Sequence, residues 1–123
     1  MPTDSLDQLS AQALAFARER DWEQFHAPKN LAMALAGEAG ELLEHFQWLS
    51  AAQSEQLDAA KREAVALELA DILIYLVRLG ERLDIDLIAA AGRKMAINAE
   101  RYPADRVRGD ARRVALKIMR VKA

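Results

Sequence analysis

Residues 64–79, AVALELADILIYLVRL, carry only three charges, at Glu68, Asp71 and Arg78, and are otherwise almost entirely apolar. A helix that is apolar nearly all round must be covered on most of its sides. In a chain of 123 residues, the length of one domain, that requirement points to a subunit interface as well as an internal core. The two carboxylates in the middle of the stretch then need an explanation of their own.

Ala and Leu dominate the composition, and only five Gly and three Pro interrupt the chain, so local propensity favours helix nearly everywhere and the fold class is all-α. The pattern predicts a first helix capped by Thr3 or Asp4 and running to about residue 20. DWEQFHAPKN breaks it, and Pro28 suits the first turn of a second helix that reaches Trp48 or Leu49. SAAQSEQLD reads as a polar connection. A third helix starts between residues 56 and 60 and continues to about Leu83; Asp84 caps a fourth, which Pro103 ends. The expected architecture is four to five helices in an antiparallel bundle completed by dimer or tetramer formation. Residues 1–103 form the domain and residues 104–123 a basic tail holding seven of the seventeen Lys and Arg residues. That tail reads as a loosely docked charged terminus, or as a flap that closes on phosphates.

The net charge of −2 supplies no field that would draw the molecule to nucleic acid or to an anionic membrane, so neither is expected as a partner. With no cysteine, disulfides, thiolate metal sites and Cys nucleophiles are excluded, and any metal must take oxygen or imidazole ligands. MPTDSLDQLS lacks the basic start and apolar run of a signal peptide, and cytoplasmic location is the expectation.

Glu38-Ala-Gly-Glu41 lies on the second helix and Glu68-Leu-Ala-Asp71 on the third. Residues three apart share a helix face, so each pair projects two carboxylates in nearly one direction, and antiparallel neighbours can converge all four. Acid pairs commonly decorate a solvated surface, but here Glu38 and Glu41 follow an uncharged run from Asn30 to Gly37, and Glu68 and Asp71 interrupt the most apolar stretch of the chain. Unpaired carboxylates gathered in such surroundings raise one another's pKa, and a divalent cation removes the cost. Oxygen ligands alone describe a hard-cation site, Mg²⁺ with Mn²⁺ as a substitute. A ferritin-like di-iron bundle needs Glu-x-x-His on each of two helices; the only histidines are His26 and His45, and His45 stands four after Glu41 rather than three.

These residues resemble the MazG-like all-α nucleoside triphosphate pyrophosphatases, and the wording of DWEQFHAPKNLAMALAGEAGELLEHFQWL, ELADILIYLVRL and KMAINAERYP is closest to the dCTP pyrophosphatase branch. The resemblance covers residues 18–102. It implies that Glu38, Glu41, Glu68 and Asp71 hold Mg²⁺, and that the chain is a homodimer or homotetramer. The implied reaction splits the α–β phosphoanhydride of a (d)NTP, dCTP or a modified dCTP, into (d)NMP and pyrophosphate. It also implies a base pocket formed by Trp22, Trp48 and Tyr75. Independently, Tyr75 stands one turn after Asp71 on the same face. Without the resemblance, these aromatic residues fit the core or an interface equally well. Two positions bear on that branch: Ala13 stands where it carries a His on the first helix, so base selectivity is expected to be broader or different, and Gly37 replaces the first Glu of the more general motif, as it does in the branch.

Lys94 and Asn98, four apart on the fourth helix, suit contacts to phosphate and to base or sugar, although a solvated helix face fits the same spacing. The expected chemistry is in-line attack of water on the α-phosphorus, with Glu41 as the base. The alternatives are another hydrolase of the superfamily, acting on dUTP, dTTP or phosphoribosyl-ATP, and a non-catalytic helical oligomer that binds a nucleotide or a protein.

Overall fold

The computed structural model describes residues 5–111, and among them every regular element is helical. The α-helices are α1 (Leu6–Glu19), α2 (Pro28–Glu44), α3 (Ala51–Ser54), α4 (Ala59–Arg82), α5 (Leu87–Arg101) and α6 (Ala104–Val107), with one 3₁₀ turn at Glu23–Phe25. None of the described helices is long and apolar enough to cross a membrane. The chain divides into two compact units, the first ending at Ile85 and the second beginning at Asp86.

In the first unit α4 is the central element, with α2 and α1 packed against it. His26, just before α2, meets Arg78 near the end of α4, while His45, just after α2, meets Lys61 near the start of α4. The two helices therefore run antiparallel, as the sequence predicts. Among the described residues, Ala17 of α1, Leu31 of α2, and Val65 and Val77 of α4 are the buried apolar side chains. Leu67, Leu69, Leu73 and Leu76 of α4 stay exposed in the single chain. Such a face is unusual for a monomer.

The helix ends follow local chemistry, with some differences from expectation. Ser5 caps α1 through a bond from the Gln8 amide, whereas Thr3 and Asp4 lie outside the described residues. Asp58 caps α4 and Asp86 caps α5. Asp84, expected as that last cap, instead has φ +54° and ends α4: its own N–H bonds Glu81 and that of Ile85 bonds Gly80. Asp21 does the same for α1 at φ +55°, with Asp21 N–H on Arg18 and Trp22 N–H on Ala17. Both are left-handed helix stops of the kind glycine usually supplies, which aspartate tolerates better than most residues. The stop at Asp21 folds Trp22 back onto Phe16, with ring centroids 5.9 Å apart and edge to face.

The segment read as a polar connection contains α3, held by a capping box in which Ser50 and Gln53 exchange side chain-to-backbone bonds. α2 ends at Glu44, followed by a turn, short of the expected Trp48. In the second unit, α5 stops at Arg101 just before Pro103, and α6 follows within the segment read as a tail. Residues 112–123, which carry most of the expected flap, lie outside the described residues.

Candidate functional site

Antiparallel packing of α2 on α4 gathers the predicted acids. One carboxylate oxygen from each of Glu38, Glu41 and Glu68 lies within 4.8 Å of the others. Ligands on opposite sides of one Mg²⁺ stand about 4 Å apart, given bond lengths near 2.1 Å, so closing by under about 1 Å would let the three oxygens share a single small cation. Glu38 Oε2 and Glu68 Oε2 are buried with no hydrogen-bond partner. A buried carboxylate oxygen without a donor is costly, and a divalent cation is the group that relieves two at once.

Electrostatics agree with the geometry. Burial pushes the Glu38 carboxyl up to about 7, and the crowding carboxylates of Glu41, Glu68 and Asp71 push in the same direction. Asp71 contributes no oxygen to the close group of three but acts on Glu38 through its charge. Beside the cluster, Lys61 Nζ lies 3.2 Å from His45 Nδ1, and His45 Nε2 lies 3.9 Å from Glu68 Oε1. With Lys61 donating to Nδ1, the imidazole proton sits on Nε2 and faces Glu68. His45, which enters the sequence reading only for its spacing from Glu41, is thus half-buried against the acids.

Asp71 also opens onto a cavity of about 370 Å³. From α4 it is lined by Asp71, Ile74, Tyr75 and Arg78, a stripe at helical spacing, and from α1 by residues that include Gln12, Ala13 and Phe16. Trp22 and His26 complete it. The volume suits a small organic ligand. Two of the three expected aromatic residues, Trp22 and Tyr75, are in its wall, and so is Ala13. Trp48 is not among its lining residues and is 86% exposed. Lys94 and Asn98 share α5 in the second unit, Lys94 exposed and Asn98 with its Oδ1 buried and without a hydrogen-bond partner.

Sequence reasoning passed over His26 and Arg78. Arg78 is 2% exposed, its guanidinium bonds Glu81 Oε2 at 2.8 Å and approaches His26 Nδ1 at 3.3 Å, and Arg82 Nε bonds the His26 carbonyl at 3.1 Å. The available signal was Arg78 as the lone cation of the apolar stretch, at i+7 from Asp71 and i+3 from Tyr75.

Comparison with known proteins places these features in a family. The MazG-like family matches residues 34–113. The chain is 46% identical to human dCTP pyrophosphatase 1 over 114 residues, covering 91% of this chain and 67% of that protein. It is 48% identical to the bovine dCTP pyrophosphatase 1 over 109 residues, 87% of this chain and 64% of that one. The chain thus spans about two thirds of the length of these relatives. Among solved structures, a pyrophosphatase from Archaeoglobus fulgidus superposes with a TM-score of 0.76 at 37% identity, covering 80% of this chain and 92% of that one.

Proposed function

Since the chain belongs to the MazG-like family, we propose that it is a nucleoside triphosphate pyrophosphatase acting on dCTP or a modified dCTP, releasing the monophosphate and pyrophosphate. The observation that carries this reading is a three-carboxylate cluster with two unpartnered buried oxygens, joined through Asp71 to a cavity walled by Trp22 and Tyr75. This supports a reading in which a cation held by the acids would meet the phosphates while the neighbouring cavity takes the base.

In this reading Glu38, Glu41, Glu68 and Asp71 hold Mg²⁺, or Mn²⁺ in its place. A cation held there would supply positive charge to the phosphoryl oxygens, the Lewis-acid chemistry such a displacement needs. Glu41, the solvent-exposed member of the cluster, accepts the proton of the attacking water. Trp22 and Tyr75 hold the base, a contact that is generous in affinity and poor in discrimination. Lys94 and Asn98 contact phosphate and sugar or base, and Trp48 completes a pocket contributed by another copy of the chain. The exposed leucines of α4 support assembly as a homodimer or homotetramer, since they leave an apolar face for a second copy to cover.

The test is pyrophosphate release across canonical and modified nucleoside triphosphates, with and without Mg²⁺. Strong metal-dependent release from dCTP or its 5-substituted forms is expected. Release confined to dUTP, dTTP or phosphoribosyl-ATP would replace the substrate assignment, and no release from any nucleotide would leave only a binding protein.

A further inference from the structure

Toward the N-terminal end of α4 from the acids lies a second recess, which the base and the carboxylate cluster leave unused. Lys61, Ala64, Glu68, Asp71 and Tyr75 form one stripe along α4, so the carboxylates stand between two openings. The recess is an open cleft of about 640 Å³, walled by His45 and Leu49 after α2, Gln53 of α3, and Asp58, Lys61 and Ala64 at the start of α4. Lys61 precedes Glu68 by two helical turns, about 10 Å, the reach of a diphosphate group with a hydrogen bond at its far end.

The cleft offers donors. Lys61 is half-buried, yet among the described residues no carboxylate lies within ion-pair distance of its ammonium. Its Nζ meets His45 Nδ1 at 3.2 Å, which occupies one of three N–H groups and leaves two. An imidazole that accepts on Nδ1 carries no charge to offset the ammonium. His45 is placed in turn against Glu68, whose Oε1 lies 3.9 Å from Nε2, so Lys61 is tied to the acids without being neutralised by them. Gln53 gives its Oε1 to the Ser50 amide, and its Nε2 is the end that remains to donate. Asp58, the only acid among these lining residues, commits Oδ1 to the Lys61 backbone amide as the cap of α4.

Building on the pyrophosphatase reading, we propose that this cleft is the subsite for the two distal phosphates of the substrate, and so for the departing pyrophosphate, with Lys61 as its anion-binding residue. His45 is the residue that positions Lys61. When the bond between the α-phosphorus and its bridging oxygen breaks, the electron pair stays on that oxygen and leaves with pyrophosphate, while the attacking water gives its proton to Glu41. Lys61 transfers no proton; its ammonium pairs with the charge that the leaving group carries away. A nucleoside diphosphate, one phosphate shorter, leaves the Lys61 end of the cleft unfilled, so the site favours triphosphates.

The experiment titrates inorganic pyrophosphate and dCMP separately, by calorimetry at saturating Mg²⁺, into wild type, Lys61→Met and Lys61→Arg. The same proteins are assayed for kcat and KM on dCTP and on dCDP, whose leaving group is orthophosphate. Wild type should bind pyrophosphate, and Lys61→Met should weaken that binding about tenfold or more, the loss of one charge-assisted hydrogen bond, with dCMP affinity unchanged. The preference for dCTP over dCDP in kcat/KM should fall with it. Lys61→Arg, which keeps the charge and the donors, should keep most of both.

A Lys61 that only braces His45 would alter thermal stability or affinity for Mg²⁺ alone, and would leave the pyrophosphate-to-dCMP affinity ratio and the triphosphate preference unmoved. That result would overturn the proposal, as would a wild type that binds no pyrophosphate or a parallel loss of dCMP binding in Lys61→Met. If the wild type binds pyrophosphate through Lys61 but hydrolyses no nucleotide, the pyrophosphatase reading fails and the diphosphate subsite stands.

Discussion

Lowering the pH from 8 to 6 should weaken divalent-cation binding about tenfold, because Glu38 then holds a proton that the ion must displace. In the metal-free protein its carboxyl is raised from 4.5 to about 7, by burial first and by the crowding acids after it. Affinity scales with the deprotonated fraction, roughly nine tenths at pH 8 and one tenth at pH 6 for a group of that pKa. The sign for stability is opposite. Between about 4.5 and 7 the folded chain holds a proton that the unfolded chain has released, so without metal the contribution of Glu38 to stability is full below the lower value and is lost as pH rises through the upper one. Titration calorimetry with Mg²⁺ or Mn²⁺, in buffers of different ionisation enthalpy, reads both affinity and proton release. About half a proton per ion should leave near pH 7, and Glu38→Gln should bind more weakly and release none from this position. Binding that is independent of pH and releases no protons would refute the reasoning.

Three further outcomes follow from the same geometry. Glu38→Gln and Asp71→Asn should each abolish pyrophosphate release while leaving the helical circular dichroism spectrum unchanged; near-normal turnover in either would remove it from the site. His45→Leu should weaken cation affinity about tenfold or more through the loss of the imidazole facing Glu68, measured by calorimetry, and an unchanged affinity would make that contact incidental. Asp84→Gly should stabilise the fold by up to about 1 kcal/mol in urea unfolding, since glycine adopts the left-handed conformation at φ +54° without the cost of a side chain, whereas Asp84→Val should destabilise it.

The elements most legible in the sequence were those fixed by short-range chemistry. Pro28 set the start of α2, and the apolar run carrying Glu68 and Asp71 gave α4 almost to its ends. The convergence of Glu38, Glu41 and Glu68 was also readable, since spacing fixes each pair on a helix face and antiparallel packing does the rest. The ends of α1 and α4 were read close to where they fall, but the left-handed conformations of Asp21 and Asp84 that make them were not, because Asp84 reads as a cap and only the backbone reveals the turn. α3 was concealed by its polar composition, although Ser50 and Gln53 stand at capping-box spacing. The Arg78–His26 contact links residues 52 positions apart, and nothing local in either segment announces it. Trp48 shows the converse: it belongs to the same family-like segment as Trp22, yet within one chain it faces outward.

The most direct measurement is hydrolysis of dCTP with Mg²⁺ in H₂¹⁸O, followed by ³¹P spectroscopy of the products. Attack on the α-phosphorus beside the carboxylate cluster places the label in dCMP and leaves the pyrophosphate unlabelled. Label in the pyrophosphate, or the appearance of dCDP and orthophosphate, would mean that the bond broken is not the one these residues are arranged to break.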